Sequence, residues 1–164
     1  MGDHVDAVVA EWHERHPDLD LTGMAIFARI ARLARFADLR RAATLAAHGL
    51  QVGDLDVLAP LYRHPGGLRP LELRASMLIG SGTLTARLDR LEAAGLIERS
   101  PDPKDRRGRV LQLTAAGERV VPRAVTELLA IENGMLASLP ASVRTRLSRD
   151  LGRLAVELED GSGE

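Results

Sequence analysis

The chain has no cysteine. That absence excludes disulfides, thiolate metal sites, a thiol nucleophile and peroxide sensing through a cysteine. Aromatic residues are almost as scarce, with one Trp, one Tyr and two Phe in 164 residues, so Leu, Ala and Val must pack the core of what is most simply one domain. No apolar run approaches the roughly 20 residues needed to span a bilayer, and the amino terminus carries acid at Asp3 and Asp6. Neither secretion nor membrane insertion is expected, and a cytoplasmic location follows as the default. There is no phosphate-cradling glycine loop, no nucleophile elbow and no acid pair at a catalytic spacing, so neither an enzyme nor a bound cofactor is expected. His13 and His16 lie three apart near carboxylates, but structural zinc wants four ligands; the pair reads as a solvated helix end, with no metal expected.

Excess charge is lacking too. The net value of −1 argues against a protein that coats nucleic acid non-specifically, yet it hides an uneven distribution. From Arg63 to Arg109 there are ten Lys and Arg against six Asp and Glu, an excess of +4 that leaves −5 for the rest of the chain. The most informative stretch closes that basic region. Asp105, Arg106, Arg107 and Gly108 read as a charged hairpin tip, Val110 to Leu113 alternate as a strand, and Thr114 opens a helix.

Elsewhere the apolar residues repeat at helical spacing. A first helix is expected over Val5 to His16, ended by Pro17, and a second from a Thr22 cap towards His48, stopped by Gly49. A third, about Gly53 to His64, places Leu55, Leu58, Leu61 and Tyr62 inward, with a bend expected at Pro60. Leu68-Arg69-Pro70 enters a short helix with Glu72 near its positive end, and Ile79-Gly80-Ser81-Gly82 forms a turn. Ser81 caps a helix from Thr83 to Ala94 whose Leu84, Leu88 and Leu91 form the buried stripe, leaving Thr83, Arg87 and Arg90 towards solvent. After Gly95, a strand over Leu96 to Arg99 leads through the Pro101 to Lys104 turn into the return strand, Arg109 to Leu113. Two long helices follow, roughly Ala115 to Ser138 and Ala141 to Glu159.

The expected fold is therefore mainly α with a small β-hairpin wing. Helix, turn, helix and wing in that order place a helix in the major groove and a basic loop against the neighbouring backbone or minor groove. A winged helix-turn-helix lobe at 53–114 is expected within a single 1–164 domain, with helical regions at 1–50 and 115–160 for dimerisation.

The residues from Ser81 to Arg99, Asp102 to Arg109 and Leu113 to Gly117 together resemble the MarR family of bacterial transcription regulators. The resemblance implies a homodimer with interlocked first and last helices and two winged lobes reading an imperfect palindrome, and repression relieved by a small ligand. The extra first helix with Trp12, the segment Pro17 to Asp20 and Asp56-Val57-Leu58 are similar to a branch answering small anions such as urate. Pro60 and Arg69 depart from the family pattern.

Double-stranded DNA is the expected partner. Arg106, Arg107 and Arg109 suit phosphate or a minor groove, with Asp105 orienting the wing. Ser81, Thr83, Thr85, Arg87 and Arg90 are the groove-facing candidates, although Arg90 also suits an intramolecular pair. Trp12, Arg29, Asp56 and Arg63 are candidates for holding a small anionic or aromatic effector, set against plain packing for Trp12 and helix-end charge for Arg63. Two other readings fit the same chain: a winged helix used for protein contact, and a small-molecule-binding protein on a helical scaffold.

Overall fold

The computed structural model describes residues 2–75, 77, 81–102 and 105–161, apart from the side chains of residues 81 and 105–107. Seven helices and one hairpin are described: α1 (His4–Arg15), α2 (Thr22–Ala47), α3 (Asp54–Arg63), α4 (Pro70–Ala75), α5 (Ser81–Ala93), β1 (Ile97–Asp102), β2 (Asp105–Leu113), α6 (Ala115–Met135) and α7 (Ala141–Asp160). The mainly helical class with a two-stranded wing is as the sequence implies.

Local chemistry sets most boundaries. Asp3 caps α1, its carboxylate accepting from the Val5 and Asp6 backbone while the Asp6 carboxylate accepts from the Asp3 backbone, a reciprocal box that satisfies groups the first turn would orphan. Thr22 does not cap α2. It is the first helical residue, and the Asp20 carboxylate accepts from its backbone N–H at 2.9 Å. Gly49 takes φ +71° just past the helix end. Thr114 caps α6 as expected, its hydroxyl oxygen accepting from Ala116 and Gly117 at 3.2 Å.

Helix α3 runs unbroken through Pro60. Its inward face differs from the expected one: Val57, Leu58 and Leu61 are buried, whereas Tyr62 is exposed. Leu58, Leu61 and the partly buried Leu55 keep their expected places, but the face turns towards Val57, so Val57 enters the core and the phenol remains in water. Helix α5 starts at Ser81, two residues before the expected Thr83, and Ile79 and Gly80 lie outside the described residues. Leu84, Leu88 and Leu91 are buried as its stripe requires.

The strands are longer than expected. β1 continues through Pro101 and Asp102, and β2 starts at Asp105, so Asp105 to Gly108 belong to a strand and the connection lies at 103–104, outside the described residues. The antiparallel register pairs Ile97 with Leu113, Arg99 with Leu111, Pro101 with Arg109 and, across an irregularity, Asp102 with Asp105. The outer half of a hairpin standing away from the core needs no apolar alternation, and charged residues can occupy the ladder there.

One core unites lobe and long helices. Val57, Leu58 and Leu61 of α3 meet Leu73 of α4, the α5 stripe, Ile97 and Leu111 of the hairpin, Leu45 of α2, and Val121 and Ala124 of α6. The lobe is thus seated on α2 and α6. Away from this seat, apolar side chains are left uncovered on α2 (Met24, Phe27, Leu33, Phe36, Leu39) and α7 (Leu147, Leu151, Val156, Leu158), and α7 has no buried residue.

Candidate nucleic-acid interface

Helices α4 and α5 and the hairpin form a helix-turn-helix with a wing. On α5, Thr83 and Thr85 are exposed, away from the leucine stripe, and can meet a groove. The Ser81 side chain lies outside the described residues. The two arginines of the same helix turn elsewhere. Arg87, with 16% of its side chain exposed, donates from Nη1 to the Gly53 carbonyl at 2.7 Å and stands 3.6 Å from the Asp56 carboxylate. Arg90 pairs through Nη2 with Asp54, a carboxylate with no exposure whose other oxygen accepts from the Gln51 backbone at 2.8 Å.

Neither arginine projects freely into solvent, which corrects the expected orientation. A desolvated carboxylate at the start of α3 requires a cation, and Arg90 is the cation that the fold brings to it. Gly53 itself has φ +90°, and a Cβ there would run into the Arg87 guanidinium, so the backbone leaves room for that side chain.

Other pairs hold the reading head. Arg99 of β1 donates to Asp89 at 2.6 Å and pairs with Glu92, both on α5, and the hydrogen bond to Asp89 raises its already high pKa. On the far side of the hairpin Arg69 meets Asp102 at 2.6 Å. Arg109 is exposed on β2 opposite Pro101. The backbones of Asp105, Arg106 and Arg107 lie in β2, but their side chains, and with them the expected wing contacts and the orienting role of Asp105, fall outside the described residues.

The four effector candidates are not gathered into one cavity among the described residues. Trp12, 44% exposed, lies tilted against His16 with ring centroids 5.8 Å apart and lines a depression of about 500 Å³ with Glu11, Glu14 and Arg15. Arg29 lines a different one, of about 250 Å³, with Val5, Leu33 and Phe36 among its walls. There it is occupied by acid: its Nε donates to Asp3 at 2.9 Å and its Nη2 to Asp6 at 2.5 Å, and the Arg29 hydrogen bond is the main cause holding the Asp3 carboxyl below its usual range. Asp56 belongs to the first turn of α3 and Arg63 to its last residue, seven positions and about 10 Å apart along the axis. Among the described residues no three His, Asp or Glu side chains come together as a metal site, and no helix is long and apolar enough to cross a membrane.

The buried Asp54, the Arg69–Asp102 pair and the capping box at Asp3 were not singled out from sequence. Only the last carried a local signal, acids three residues apart at the start of a helix; the others join residues more than 30 positions apart.

A helix-turn-helix with an arginine-bearing wing, seated on long helices with uncovered apolar faces, defines a winged-helix transcription regulator. Known proteins make the class definite. The MarR family model matches residues 48–108. The HTH-type transcriptional regulator PecS of Dickeya dadantii is 32% identical over 156 residues, covering 94% of either chain. Among solved structures, a mutant MarR from E. coli complexed with operator DNA superposes with a TM-score of 0.70 at 24% identity, covering 87% of this chain and 96% of that one. CouR of Rhodococcus jostii, bound to p-coumaroyl-CoA, gives 0.71 at 24% identity, over 79% and 91%. The chain belongs to the MarR family of transcriptional regulators.

Proposed function

We propose that two copies of this chain bind a palindromic DNA operator and repress transcription until a small anionic or aromatic effector is bound. One observation carries the DNA reading: α5, with Thr83 and Thr85 exposed, packs against β1, and β1 pairs with a nine-residue strand bearing Arg106, Arg107 and Arg109. Hydroxyls at a groove and guanidinium groups along the backbone divide the work between base reading and phosphate anchoring. The lobe is 53–114, and the helices at 1–50 and 115–160 supply the dimer, setting two α5 helices about 34 Å apart on one face of a duplex. Its place is the cytoplasm, beside the DNA, and its output is a binding equilibrium, not a chemical reaction.

The first helix with Trp12, the segment Pro17 to Asp20 and Asp56-Val57-Leu58 support placing the chain in the branch that answers urate or similar small anions. Asp56 and Arg87 supply a physical link between effector and DNA. An anion drawn to the Arg87 guanidinium competes with Asp56, 3.6 Å away, and so changes what holds α5 against α3. A ligand with different affinity for the two arrangements shifts their populations. Trp12, Arg29 and Arg63 are the remaining candidates for its recognition.

The test is footprinting and fluorescence anisotropy on the DNA upstream of the chain's own gene. A protected palindrome is expected, with affinity falling steeply as salt rises. Arg106→Ala with Arg107→Ala weakens binding and flattens that dependence by about one unit of slope for each phosphate left without its arginine. Urate added at millimolar concentration releases the DNA from the native protein and less so from Arg87→Ala. No protected site, or affinity unchanged by the double wing variant, overturns the proposal.

A further inference from the structure

We infer that Arg69 is a positioning residue for the wing: its pair with Asp102 fixes the hairpin to the start of the helix-turn-helix, and DNA affinity depends on that clamp although neither member need touch DNA. Arg69 donates from Nε to an Asp102 oxygen at 2.6 Å, and its Nη2 lies 2.6 Å from the same oxygen. Only 4% of the Asp102 side chain is exposed, against 45% of that of Arg69. The pair is therefore unlike an ordinary surface ion pair, because the carboxylate is stripped of water and holds its charge through protein donors.

Its place in the fold gives the pair leverage. Asp102 is the last residue of β1, opposite Asp105 and just past the register shift at Pro101, so it stands at the outer end of the paired strands. Arg69 immediately precedes α4, where its backbone N–H is accepted by the Glu72 carboxylate at 2.7 Å, fixing the chain direction from which the guanidinium departs. Next to it, Leu68 and Leu111 exchange both backbone hydrogen bonds, at 3.0 and 2.8 Å. The segment 68–69 thus grips the hairpin twice, by backbone towards the inner end of β2 and by charge near the outer end. Two grips set an angle where one leaves a hinge. With the outer one removed, the arginines of β2 must be ordered on binding instead of being held ready, and ordering costs affinity.

This rests on the DNA-binding reading. The experiment uses full-length protein and a labelled duplex carrying the palindrome that the native protein protects, titrated from about 50 to 200 mM salt. Arg69→Ala, Asp102→Ala, the double variant and the exchange R69D with D102R are compared, with thermal unfolding of each. The clamp predicts that both single variants bind on the order of tenfold more weakly. The double variant is then no weaker than either single one, the exchange recovers affinity, and the salt slope of Arg69→Ala stays native. If Arg69 is itself a phosphate contact, its removal lowers the slope by about one while Asp102→Ala leaves affinity unchanged or improved, which overturns the inference. Equal affinity for all variants overturns it as well. If Arg69→Ala is too unstable to assay, Asp102→Ala against the exchange gives the same decision. Failure of the native protein to bind any duplex would instead refute the DNA reading, and thermal coupling between the two sites would then show a clamp without that function.

Discussion

Arg90 and Asp54 stand 36 residues apart, and their pairing is the intramolecular alternative that Arg90 also suits. Each looks exposed when read locally: an arginine off the leucine stripe of α5, an acid in the first turn of α3 where the helix dipole favours it. Only folding reveals that the acid is sealed, so its charge has to be answered inside the molecule. Removing one member of a buried pair strands the other and costs about 3 kcal/mol. Arg90→Ala is therefore expected to lower the urea midpoint by that measure, while Asp54→Asn, which keeps an oxygen to accept from Gln51, costs less. Were Arg90 chiefly a DNA contact, its removal would leave the unfolding curve in place and change only affinity. Equilibrium unfolding followed by circular dichroism distinguishes the two. Thr83 and Thr85 are the residues of α5 whose exposure matched the expectation.

Elements were legible where their causes are local. The leucines of α5 repeat at helical spacing, Thr114 stands directly before an apolar helix, and Gly95, at φ +68°, punctuates helix and strand. The hairpin's length was not legible: the charged residues from Asp105 to Gly108 have no alternation to mark them as strand, and their pairing comes from the partner strand opposite. The joint between wing and α6 shows how tightly such elements meet. Thr114 donates its backbone N–H to Leu96 at 3.1 Å and its hydroxyl to Gly95 at 2.6 Å, and a Cβ at Gly117 would overlap the Leu96 carbonyl. Alanine is the better helix former by about 1 kcal/mol. Here the overlap with backbone wins, and Gly117→Ala is expected to destabilise by about 1–3 kcal/mol, the usual cost of overpacking. A raised thermal midpoint for that variant would mean that α6 does not meet the Leu96 backbone at this point.

At the scale of the whole molecule the single chain is unfinished. Helix α7 spans 20 residues without burying any, and its Leu147, Leu151 and Leu158 are exposed together with Phe27, Leu33 and Phe36 of α2. Isolated helices of this length are marginal in water, and uncovered apolar faces of this extent mark an interface. A second copy fits the need, since a palindromic target and a two-fold dimer share one symmetry. Leu147→Asp with Leu151→Asp places charge in the seam that such a dimer would bury, while leaving the lobe's core, built from α3, α4, α5, the hairpin and parts of α2 and α6, unchanged. The expected result in sedimentation equilibrium is a monomer at micromolar concentration, with the lobe still folded. Affinity for the full palindrome should then fall about a hundredfold or more, because each lobe is deprived of the effective concentration supplied by its twin, whereas affinity for an isolated half-site stays close to native. The double wing variant should do the reverse, remaining dimeric and binding both duplexes more weakly for want of its phosphate anchors. If the α7 variant stays dimeric, or turns monomeric yet binds the palindrome as tightly as before, the paired-lobe mechanism fails.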